Sequence, residues 1–383
     1  MKNINGFALI VLLAGIFVSC NSGTTTRSQK TPTLKDAFAG KFHIGTALNE
    51  WQITGRDSAG VEVIKNQFQA IVAENCMKSG PIHPRKDEYN FDLPDQFVEF
   101  GVANDKFITG HCLIWHSQAP RWFFTDNEGN DVSREVMIER MKEHIYTVVG
   151  RYKGKIKGWD VVNEAIMEDG SMRNSKFLQI VGDDFIKLAF QFAHEADPDA
   201  ELYYNDYNEW FPGKRDAIVQ MIRDLKADGI RIDGIGMQGH IGMDSPSLED
   251  YEAAIVAYAN EGMKVMVTEL DMSILPNRSR DVGADIATSF EYQQSLNPYT
   301  ESVPVEKMNE WDERMLDFFR LFLKHSDTVT RVTLWGVSDA TSWKNNFPIR
   351  GRTDYPLLFD RNYEPKSIVA KLIDEANKAE NIK

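Results

Sequence analysis

Two kinds of segment alternate along the chain, and their order predicts the fold class. From residue 34 onward, short apolar runs are separated by longer stretches in which apolar positions recur every three or four residues, as expected of strands and helices. The short runs predict eight strands, at 41–48, 69–75, 106–115, 156–164, 201–207, 234–240, 264–271 and 329–337. Because a helical crossover returns the chain to the same end of a sheet, these strands are expected to be parallel.

The stretch 133–152 shows the helical pattern clearly. One side of it carries Met137, Met141, Ile145, Val148 and Tyr152. These positions follow one another at spacings of three and four, which places them on one apolar face of a helix. Ser133 is a suitable N-cap for that helix.

Eight strand–helix units predict an α/β fold, a (β/α)8 TIM barrel formed by a single catalytic domain at 34–383. The interior of such a barrel is packed and its active site lies at the carboxyl ends of the strands. Several predicted strands fit because they begin apolar and end polar. The alternative is an open, doubly wound sheet, but no GxGxxG fingerprint of a dinucleotide site follows the first strand. The long polar stretch 272–308, before the last strand, is expected to cover part of the cleft.

The first residues of the chain differ from the rest. Lys2 precedes the apolar run 7–18, which is too short to span a membrane and is typical of a signal peptide. We predict a signal peptide at 1–19, followed by a segment at 20–33 that has the composition of a flexible tether. Cys20 ends a sequence that resembles the bacterial lipoprotein cleavage box. The chain is therefore expected to be exported and lipid-anchored to a bacterial membrane, at the outer membrane, in the periplasm or at the cell surface; the alternative is an ordinary cleaved signal that leaves a thiol.

Composition and charge exclude several classes of protein. A hydrophobic content of 42% supplies enough apolar material for the core of a soluble globular protein. A net charge of −14 argues against a protein that binds the phosphate backbone of nucleic acids. Cys76 and Cys112 are too few for a metal cluster or a disulfide framework, and we interpret them as buried apolar residues or as one disulfide. No cofactor, metal or protein partner is predicted.

Two carboxylates stand at equivalent places in the predicted strands. Glu164 ends the fourth strand within WDVVNEA (159–165), and Glu269 ends the seventh within VTELD (267–271). In a closed barrel these strand ends face one cavity. Two carboxylates across a cavity can split a glycosidic bond, because one protonates the leaving oxygen while the other stabilises or attacks the anomeric carbon. A single glutamate at a strand end is more commonly an exposed rim residue.

Histidine, amide and aromatic side chains gather at the same strand ends. These candidates are His111, Trp115, His116, Gln238, His240, Trp335 and Trp343. A sugar presents hydroxyl groups at its rim and C–H groups on its faces, so a glycan cleft needs hydrogen-bonding groups beside flat aromatic rings. Each residue alone is more commonly structural, and their joint position favours a carbohydrate-active site.

Six motifs of the chain resemble those of the family 10 glycoside hydrolases, retaining endo-β-1,4-xylanases of (β/α)8 fold: WDVVNEA, VTELD, GHCLIWHSQAP, YYNDYN, GMQGH and LWGVSDATSW. The resemblance spans residues 34–375. It implies that the chain hydrolyses internal β-1,4-xylosidic bonds of xylan or xylo-oligosaccharides by a double displacement.

The resemblance also implies roles for individual residues. Glu164 is expected to be the acid/base and Glu269 the nucleophile. Asn163 is expected to hold the 2-hydroxyl group of the sugar at the cleavage point, in a bond that strengthens in the transition state. Gln238 and His240 are expected to orient the nucleophile.

Other residues are expected to support these or to bind sugar. Asp271 is expected to fix the charge and tautomer of His240, and His116 is a further supporting residue. The remaining substrate-binding candidates are His111 at the cleaved sugar, Asn75 and Lys78 at the next sugar outward, Trp115, Trp335 and Trp343 on the sugar floor, and Asn205 and Tyr207 on the rim.

One position departs from the family pattern. Ser79 follows Lys78 directly, where the family usually has a tryptophan. We hypothesise that His83 or Arg85 contacts a side chain of the polymer instead.

Two other classes of function fit the sequence less well. A metal-dependent barrel hydrolase would need clustered ligands, but His111 and His116 are five residues apart and so lie on opposite faces of a strand. An inactive glycan-binding lipoprotein is disfavoured because both carboxylates are present.

Overall fold

Eight parallel strands close into a barrel in the computed structural model, which describes Met1, residues 32–276 and residues 295–379. The strands are β1 His43–Leu48, β2 Ala70–Ala73, β3 Phe107–Trp115, β4 Gly158–Asn163, β5 Glu201–Asp206, β6 Gly234–Met237, β8 Lys264–Ser273 and β9 Val329–Leu334, and a short strand, β7 His240–Gly242, pairs with the end of β8. The order runs from β6 down to β1 and on to β9 and β8, and β6 pairs with β8 to close the ring. The predicted barrel of parallel strands is therefore confirmed.

Helices connect the strands. Those of the described residues are Leu34–Ala37, Glu50–Ile53, Ser58–Gln67, Ser79–Ile82, Asp92–Ala103, Arg134–Arg151, Lys176–Val181, Phe185–Ala196, Pro212–Ala227, Leu248–Asn260, Val305–Lys324 and Ser367–Lys378, with short 3-10 helices at Arg121–Phe123, Asp339–Thr341 and Trp343–Asn346. The helix predicted at 133–152 is confirmed, and Oγ of Ser133 accepts a hydrogen bond from the backbone N–H of Val136. None of the helices in the described part of the chain has the length and hydrophobicity needed to cross a bilayer.

Burial changes in character along the strands. Their outward-facing residues, such as Ile71, Val161 and Ile235, are buried under the helices. Near the carboxyl ends the buried residues are polar instead, and they include Asn163, Asn205, Gln238 and Glu269. Buried polar groups require hydrogen-bond partners, so this end of the barrel must contain a connected polar network.

Glycines on two strands make room inside the barrel. A Cβ atom on Gly236 would lie 2.3 Å from Oδ1 of Asn205, and one on Gly158 would lie 2.4 Å from the hydroxyl oxygen of Tyr203. Real Cβ atoms do not come this close to a neighbour, so a side chain at either position would displace Asn205 or Tyr203. The side chains of β5 can therefore reach into the barrel.

Several predicted segments lie outside the described residues. These are most of the segment that contains the signal peptide, Cys20 and the tether, and residues 277–294 of the polar stretch. The end of that stretch is helical, because Val305–Lys324 begins within it. Asn297 packs back onto the chain by accepting a hydrogen bond from the N–H of Thr353 at 2.9 Å. That the stretch covers the cleft stays a prediction.

Candidate active site

Glu164 directly follows β4 and has an unusual backbone. Its φ angle is 58°, in the left-handed region that costs a residue with a side chain about 1–2 kcal/mol. The N–H of Glu164 donates to the carbonyl of Asn205 at 2.9 Å, and its carbonyl accepts from Nε of Arg173 at 2.7 Å. Strain that is held in place by such contacts is typical of functional sites.

Two neutral N–H groups hold the carboxyl group of Glu164. Nε1 of Trp115 donates to Oε2 at 2.9 Å, and Nε2 of Gln238 donates to Oε1 at 3.0 Å. Trp115 is the last residue of β3, and Gln238 follows β6. The carboxyl ends of three strands therefore meet at this group.

Glu269 lies within β8 and is buried. Its Oε1 accepts a hydrogen bond from Nδ2 of Asn205 at 2.9 Å, and its Oε2 lies 3.3 Å from Nε2 of His240. The other ring nitrogen of His240, Nδ1, lies 2.9 Å from Oδ2 of Asp271. The imidazole is thus held between two carboxylates.

The charges around Glu269 favour its ionised form. Burial by itself raises the pKa of Glu269, but the hydrogen bond from His240 and the positive charges of His111, His240 and Lys78 outweigh burial, so the pKa is lowered. Burial likewise acts to lower the pKa of His240, but Asp271 and Glu269 reverse that effect and raise the pKa to about 9. His240 is therefore a cation at neutral pH.

Asp271 lies behind His240, as predicted. Its Oδ2 also accepts a hydrogen bond from Nε1 of Trp343 at 2.7 Å, and its Oδ1 lies 3.4 Å from Nζ of Lys344. Burial acts to raise the pKa of Asp271, but the charges of His240 and Lys344 outweigh it, and the pKa is lowered. Trp343, which was predicted on the sugar floor, therefore also supports the carboxylate of Asp271.

A chain of three amides joins the two catalytic candidates. Nδ2 of Asn205 donates to Glu269 and also to Oδ1 of Asn163, at 3.0 Å. Nε2 of Gln238 donates to Glu164 and, at 3.4 Å, to the same oxygen of Asn163. The structure therefore brings Glu164 and Glu269 into one hydrogen-bonded group at the carboxyl mouth of the barrel.

The expectation that Gln238 orients the nucleophile is wrong for its side chain. The side chain binds Glu164, and only the backbone carbonyl of Gln238 meets Glu269, whose N–H donates to it at 2.8 Å. The backbone N–H of Gln238 is held by Oε1 of the buried Glu209 at 2.6 Å. In this orientation the side chain reaches toward β4 rather than β8, and Asn205 takes the expected place beside Glu269.

The predicted sugar-binding residues form a second group beside the carboxylates. Nζ of Lys78 donates to Oδ1 of Asn75 at 3.0 Å and lies 4.9 Å and 5.9 Å from the ring centroids of Trp115 and Trp335. The Trp335 ring stands edge-on to His111, with 5.4 Å between centroids. An ammonium, an amide and an imidazole thus surround two flat rings, as a carbohydrate site requires.

Two rim residues contact the surroundings of Glu164. The His116 ring lies edge-on to Trp115, with 5.9 Å between centroids. Burial, and then the charge of Arg173, lower the pKa of His116. The hydroxyl oxygen of Tyr207 accepts from Nη2 of Arg173 at 2.9 Å. Tyr207 thus steadies the arginine that holds the Glu164 backbone, and its contact with substrate stays a prediction.

The hypothesis that His83 reaches the polymer is wrong. His83 is fully buried: its Nδ1 lies 3.2 Å from Nδ1 of His144, and its ring stacks on Tyr89 with 3.7 Å between centroids. Aromatic packing therefore accounts for this histidine. Arg85 is exposed and pairs with Glu88, so its contact with the polymer stays a prediction.

Four residues that support the site were not predicted from sequence. They are Asp160, Arg173, Glu209 and Thr268. Oδ2 of Asp160 lies 2.8 Å from Nδ1 of His111, and Oγ1 of Thr268 donates to Oδ1 of Asn205 at 2.6 Å. A polar residue inside an apolar strand was the available signal for Asp160 and Thr268. Arg173 and Glu209 lie in loops and carry no such signal.

The two cysteines form no disulfide in the described part of the chain. Cys76 and Cys112 are buried, unpaired thiols, and burial raises the pKa of Cys76 to about 12. The interpretation as buried apolar residues is therefore confirmed over the disulfide. Within residues 32–276 and 295–379, no group of three or more His, Cys, Asp or Glu side chains has the arrangement of a metal site.

Comparisons with known proteins agree with one another. The family model described as glycosyl hydrolase family 10 matches residues 33–375. The chain is 51% identical over 346 residues to endo-1,4-beta-xylanase A of Xylanibacter ruminicola, covering 90% of this chain and 94% of that protein. It is 40% identical to endo-1,4-beta-xylanase B of Paenibacillus barcinonensis, with 91% and 99% covered. A solved GH10 endoxylanase from a sugarcane soil metagenome superposes with a TM-score of 0.85 at 42% identity, with 90% of this chain and 99% of that chain covered.

Proposed function

The chain belongs to glycosyl hydrolase family 10, and from this premise we propose that Glu164 and Glu269 divide between them the reaction of a retaining endo-1,4-β-xylanase. The enzyme hydrolyses internal β-1,4-xylosidic bonds of xylan and keeps the anomeric configuration. Retention requires two successive displacements at one carbon. One carboxyl group must therefore bond to the sugar, and the other must give and later take a proton.

In the first displacement, an oxygen of Glu269 bonds to the anomeric carbon while the bond from that carbon to the glycosidic oxygen breaks. Glu164 gives its proton to the departing oxygen. The observation that carries this assignment is the difference in charge around the two groups. The cationic His240 lies beside Glu269 and favours a carboxylate there, whereas Glu164 accepts hydrogen bonds from the neutral Trp115 and Gln238.

In the second displacement, water replaces the enzyme at the anomeric carbon. Glu269 has lost its charge in the ester, and Glu164 is now a carboxylate that the two N–H donors stabilise. Glu164 removes a proton from the water, the water oxygen bonds to the anomeric carbon, and the bond to Glu269 breaks. Both glutamates return to their starting states, and two inversions restore the original configuration.

Asn163 is assigned to the 2-hydroxyl group of the sugar at the cleavage point. Its Oδ1 accepts hydrogen bonds from Asn205 and Gln238, which orients the amide so that Nδ2 points away from these partners. A donor placed this way can bond a hydroxyl oxygen, and such a bond contributes to catalysis when it strengthens in the transition state.

A slow substrate tests the assignment. A 2-deoxy-2-fluoro-xylobioside with a dinitrophenolate leaving group slows both displacements and leaves the covalent enzyme to accumulate. Mass spectrometry of a protein digest is expected to find the sugar on Glu269. A Glu164→Ala variant is the control, because it should form the same adduct and lose it more slowly. A label on Glu164 or on another residue would overturn the assignment.

We also propose that the chain is exported and attached to a bacterial membrane through a lipidated Cys20. The support is the sequence alone: Lys2, the apolar run 7–18 and the likeness of the residues before Cys20 to a lipoprotein cleavage box. Stable attachment to a membrane takes more than one membrane-binding signal, and an N-terminal cysteine that carries several acyl chains meets this requirement. Residues 20–33 would then tether the catalytic domain to the membrane.

Fractionation of the native host or a related bacterium tests the anchor. The full chain is expected in the membrane fraction with an incorporated fatty-acid label, and Cys20→Ser is expected to lose both. An unlabelled full chain in the soluble exported fraction would favour the ordinary cleaved signal instead.

A further inference from the structure

A small cavity lies inside the barrel beside the sugar-binding end. Its volume is about 10 Å³, and it is lined by Val72, Thr109, Asp160, Thr268, Arg331, Thr333 and Trp335. Six of these residues come from five barrel strands and Trp335 directly follows β9, so the cavity is in the barrel interior. Its volume is close to the smallest that holds one water molecule.

Three polar atoms of the cavity residues are buried without a hydrogen-bond partner among the described residues. They are Oγ1 of Thr109, Oδ1 of Asp160 and Nη2 of Arg331. Each of these three residues is at most 3% exposed. Native proteins rarely leave such groups unpaired. One water molecule can donate to the threonine and the carboxylate oxygens and accept from the guanidinium, which matches the two to four partners of a typical buried water.

Asp160 connects this cavity to the candidate active site. Its second oxygen, Oδ2, lies 2.8 Å from Nδ1 of His111. The positive charge of His111 is one of the causes of the lowered pKa of Glu269, so the position of the His111 ring matters to the nucleophile as well as to the sugar.

Aromatic rings hold Arg331 in place from the other side. Its guanidinium carbon lies 5.2 Å from the ring centroid of Phe107 and 5.3 Å from that of Tyr203. Arg331 starts near the amino ends of the strands, where it pairs in register with His43 of β1. Arg331 is buried, and it lines both this cavity and a larger pocket at the amino ends of the strands.

We propose that a single water molecule bound in this cavity links Arg331 to Asp160, and that Arg331 is thereby a positioning residue for His111. Through the water, the guanidinium holds the Asp160 carboxylate, and the carboxylate fixes the orientation of the imidazole. The inference rests on the proposed function, because that function assigns His111 to the sugar at the cleavage point.

A double-mutant cycle tests the link. Arg331→Met is expected to lower kcat/KM on xylotetraose about tenfold in the wild-type background and less than about twofold in His111→Asn. The effects are coupled because the arginine acts only through the histidine. Equal losses in both backgrounds would overturn the proposal.

Two further variants separate positioning from simple destabilisation. Lys264→Met removes an ion pair with Glu201, 2.6 Å long, at the amino end of the barrel, and its effect is expected to be the same with and without His111→Asn. Thr109→Val removes one partner of the water and keeps every charge, so it carries the test if Arg331→Met does not fold. Its loss is expected to be about threefold and coupled to His111→Asn in the same way.

A high-resolution crystal structure supplies an independent readout. Density for one water within hydrogen-bond distance of all three atoms is expected, and an empty cavity would overturn the proposal. The kinetics also separate two kinds of failure. If His111→Asn by itself leaves kcat/KM unchanged, the proposed role of His111 fails together with the link; if it lowers kcat/KM but shows no coupling, only the link fails.

Discussion

The surroundings of Glu164 and Glu269 differ, although both are glutamates toward the carboxyl ends of strands in one barrel. Glu269 lies within β8, is buried and has the cationic His240 beside it. Glu164 follows β4 in a left-handed conformation, is half-buried and is held by neutral N–H groups. Neighbouring charges, rather than residue type, therefore distinguish the two proposed roles.

The two surroundings also differ in energetic character. Asp271, His240 and Glu269 form a series of alternating charges, in which the partly buried imidazole compensates two buried carboxylates. Removing one member leaves an uncompensated charge, whereas removing a neutral donor to Glu164 costs one hydrogen bond. The Glu269 side is therefore expected to be the more sensitive to substitution.

Among the variants considered, Glu269→Ala is expected to have the largest effect on activity. Turnover of xylan is expected to fall on the order of 10⁵-fold or more, because no group remains to bond to the anomeric carbon. Binding of xylotetraose, measured by calorimetry, is expected to remain. Added azide should restore activity on an aryl xylobioside and give the azide product with inverted configuration. A product of retained configuration would contradict the role of Glu269.

Glu164→Ala is expected to have the next largest effect, and the effect should depend on the leaving group. Hydrolysis of xylan should fall about 10²–10⁴-fold, as for the loss of a general acid. The first step with a dinitrophenyl xylobioside should change little, because that leaving group needs no proton, and stopped-flow measurement should show a burst. Equal losses on both substrates would count against the acid role.

His240→Asn tests the Glu269 side of the site, because it removes the cation beside Glu269 while Glu164 keeps its hydrogen-bond partners. The value of kcat/KM is expected to fall about 10²-fold, similar to the loss of one strong electrostatic contact in an active site. Trp115→Phe, which removes a neutral donor to Glu164, is the matched comparison and is expected to cost less. A larger loss in Trp115→Phe would reverse the ranking of the two sides.

The stability difference between the wild type and His240→Asn is expected to depend on pH. The pKa of His240 is raised from 6.5 to about 9 in the folded protein, so protonation stabilises the fold. This contribution is fully present below pH 6.5 and is lost as the pH rises through 9. Urea unfolding should therefore show the wild type to be more stable than His240→Asn by on the order of 3 kcal/mol at pH 6, with a smaller difference above pH 9. A difference that stays constant from pH 6 to 9.5 would show that this charge is not linked to folding.

Thr268→Val is expected to have the smallest effect. The hydroxyl group of Thr268 donates to Oδ1 of Asn205 and so fixes which end of the amide faces Glu269. Its loss is expected to lower kcat/KM about threefold to tenfold, the usual size for one hydrogen bond. Thr46→Val is the matched control, because the buried Thr46 hydroxyl donates to the carbonyl of Gly336 at 2.9 Å, outside the amide chain. If both variants lost the same kcat/KM, the orientation of the Asn205 amide would not be the cause of the loss.

Local sequence patterns predicted the framework well. The strand runs, the helix at 133–152 and the cap at Ser133 all depend on residues that are contiguous in sequence, and periodicity reports them directly. The positions of Glu164 and Glu269 toward the carboxyl ends of strands followed from the same patterns together with the geometry of a closed barrel, although β8 continues past Glu269 to Ser273.

Contacts between distant segments could not be predicted in this way. The partner of the Gln238 side chain depends on how the chain turns after β6, where Glu209 from the loop after β5 accepts a hydrogen bond from the backbone N–H of Gln238. The burial of His83 depends on Tyr89 and His144 packing around it. No pattern of neighbouring residues encodes either contact.

The amino-acid sequence by itself determined the order and type of the elements, the barrel they form and the identity of two candidate carboxylates, because these follow from local periodicity and from the ends of single strands. Only the tertiary structure decided how far each neighbour lies from each carboxylate and that the side chain of Asn205, rather than that of Gln238, bonds Glu269. The physical reason is that hydrogen bonds and burial in this site join side chains from different strands, and electrostatic effects depend on their distances in space rather than on their separation along the chain.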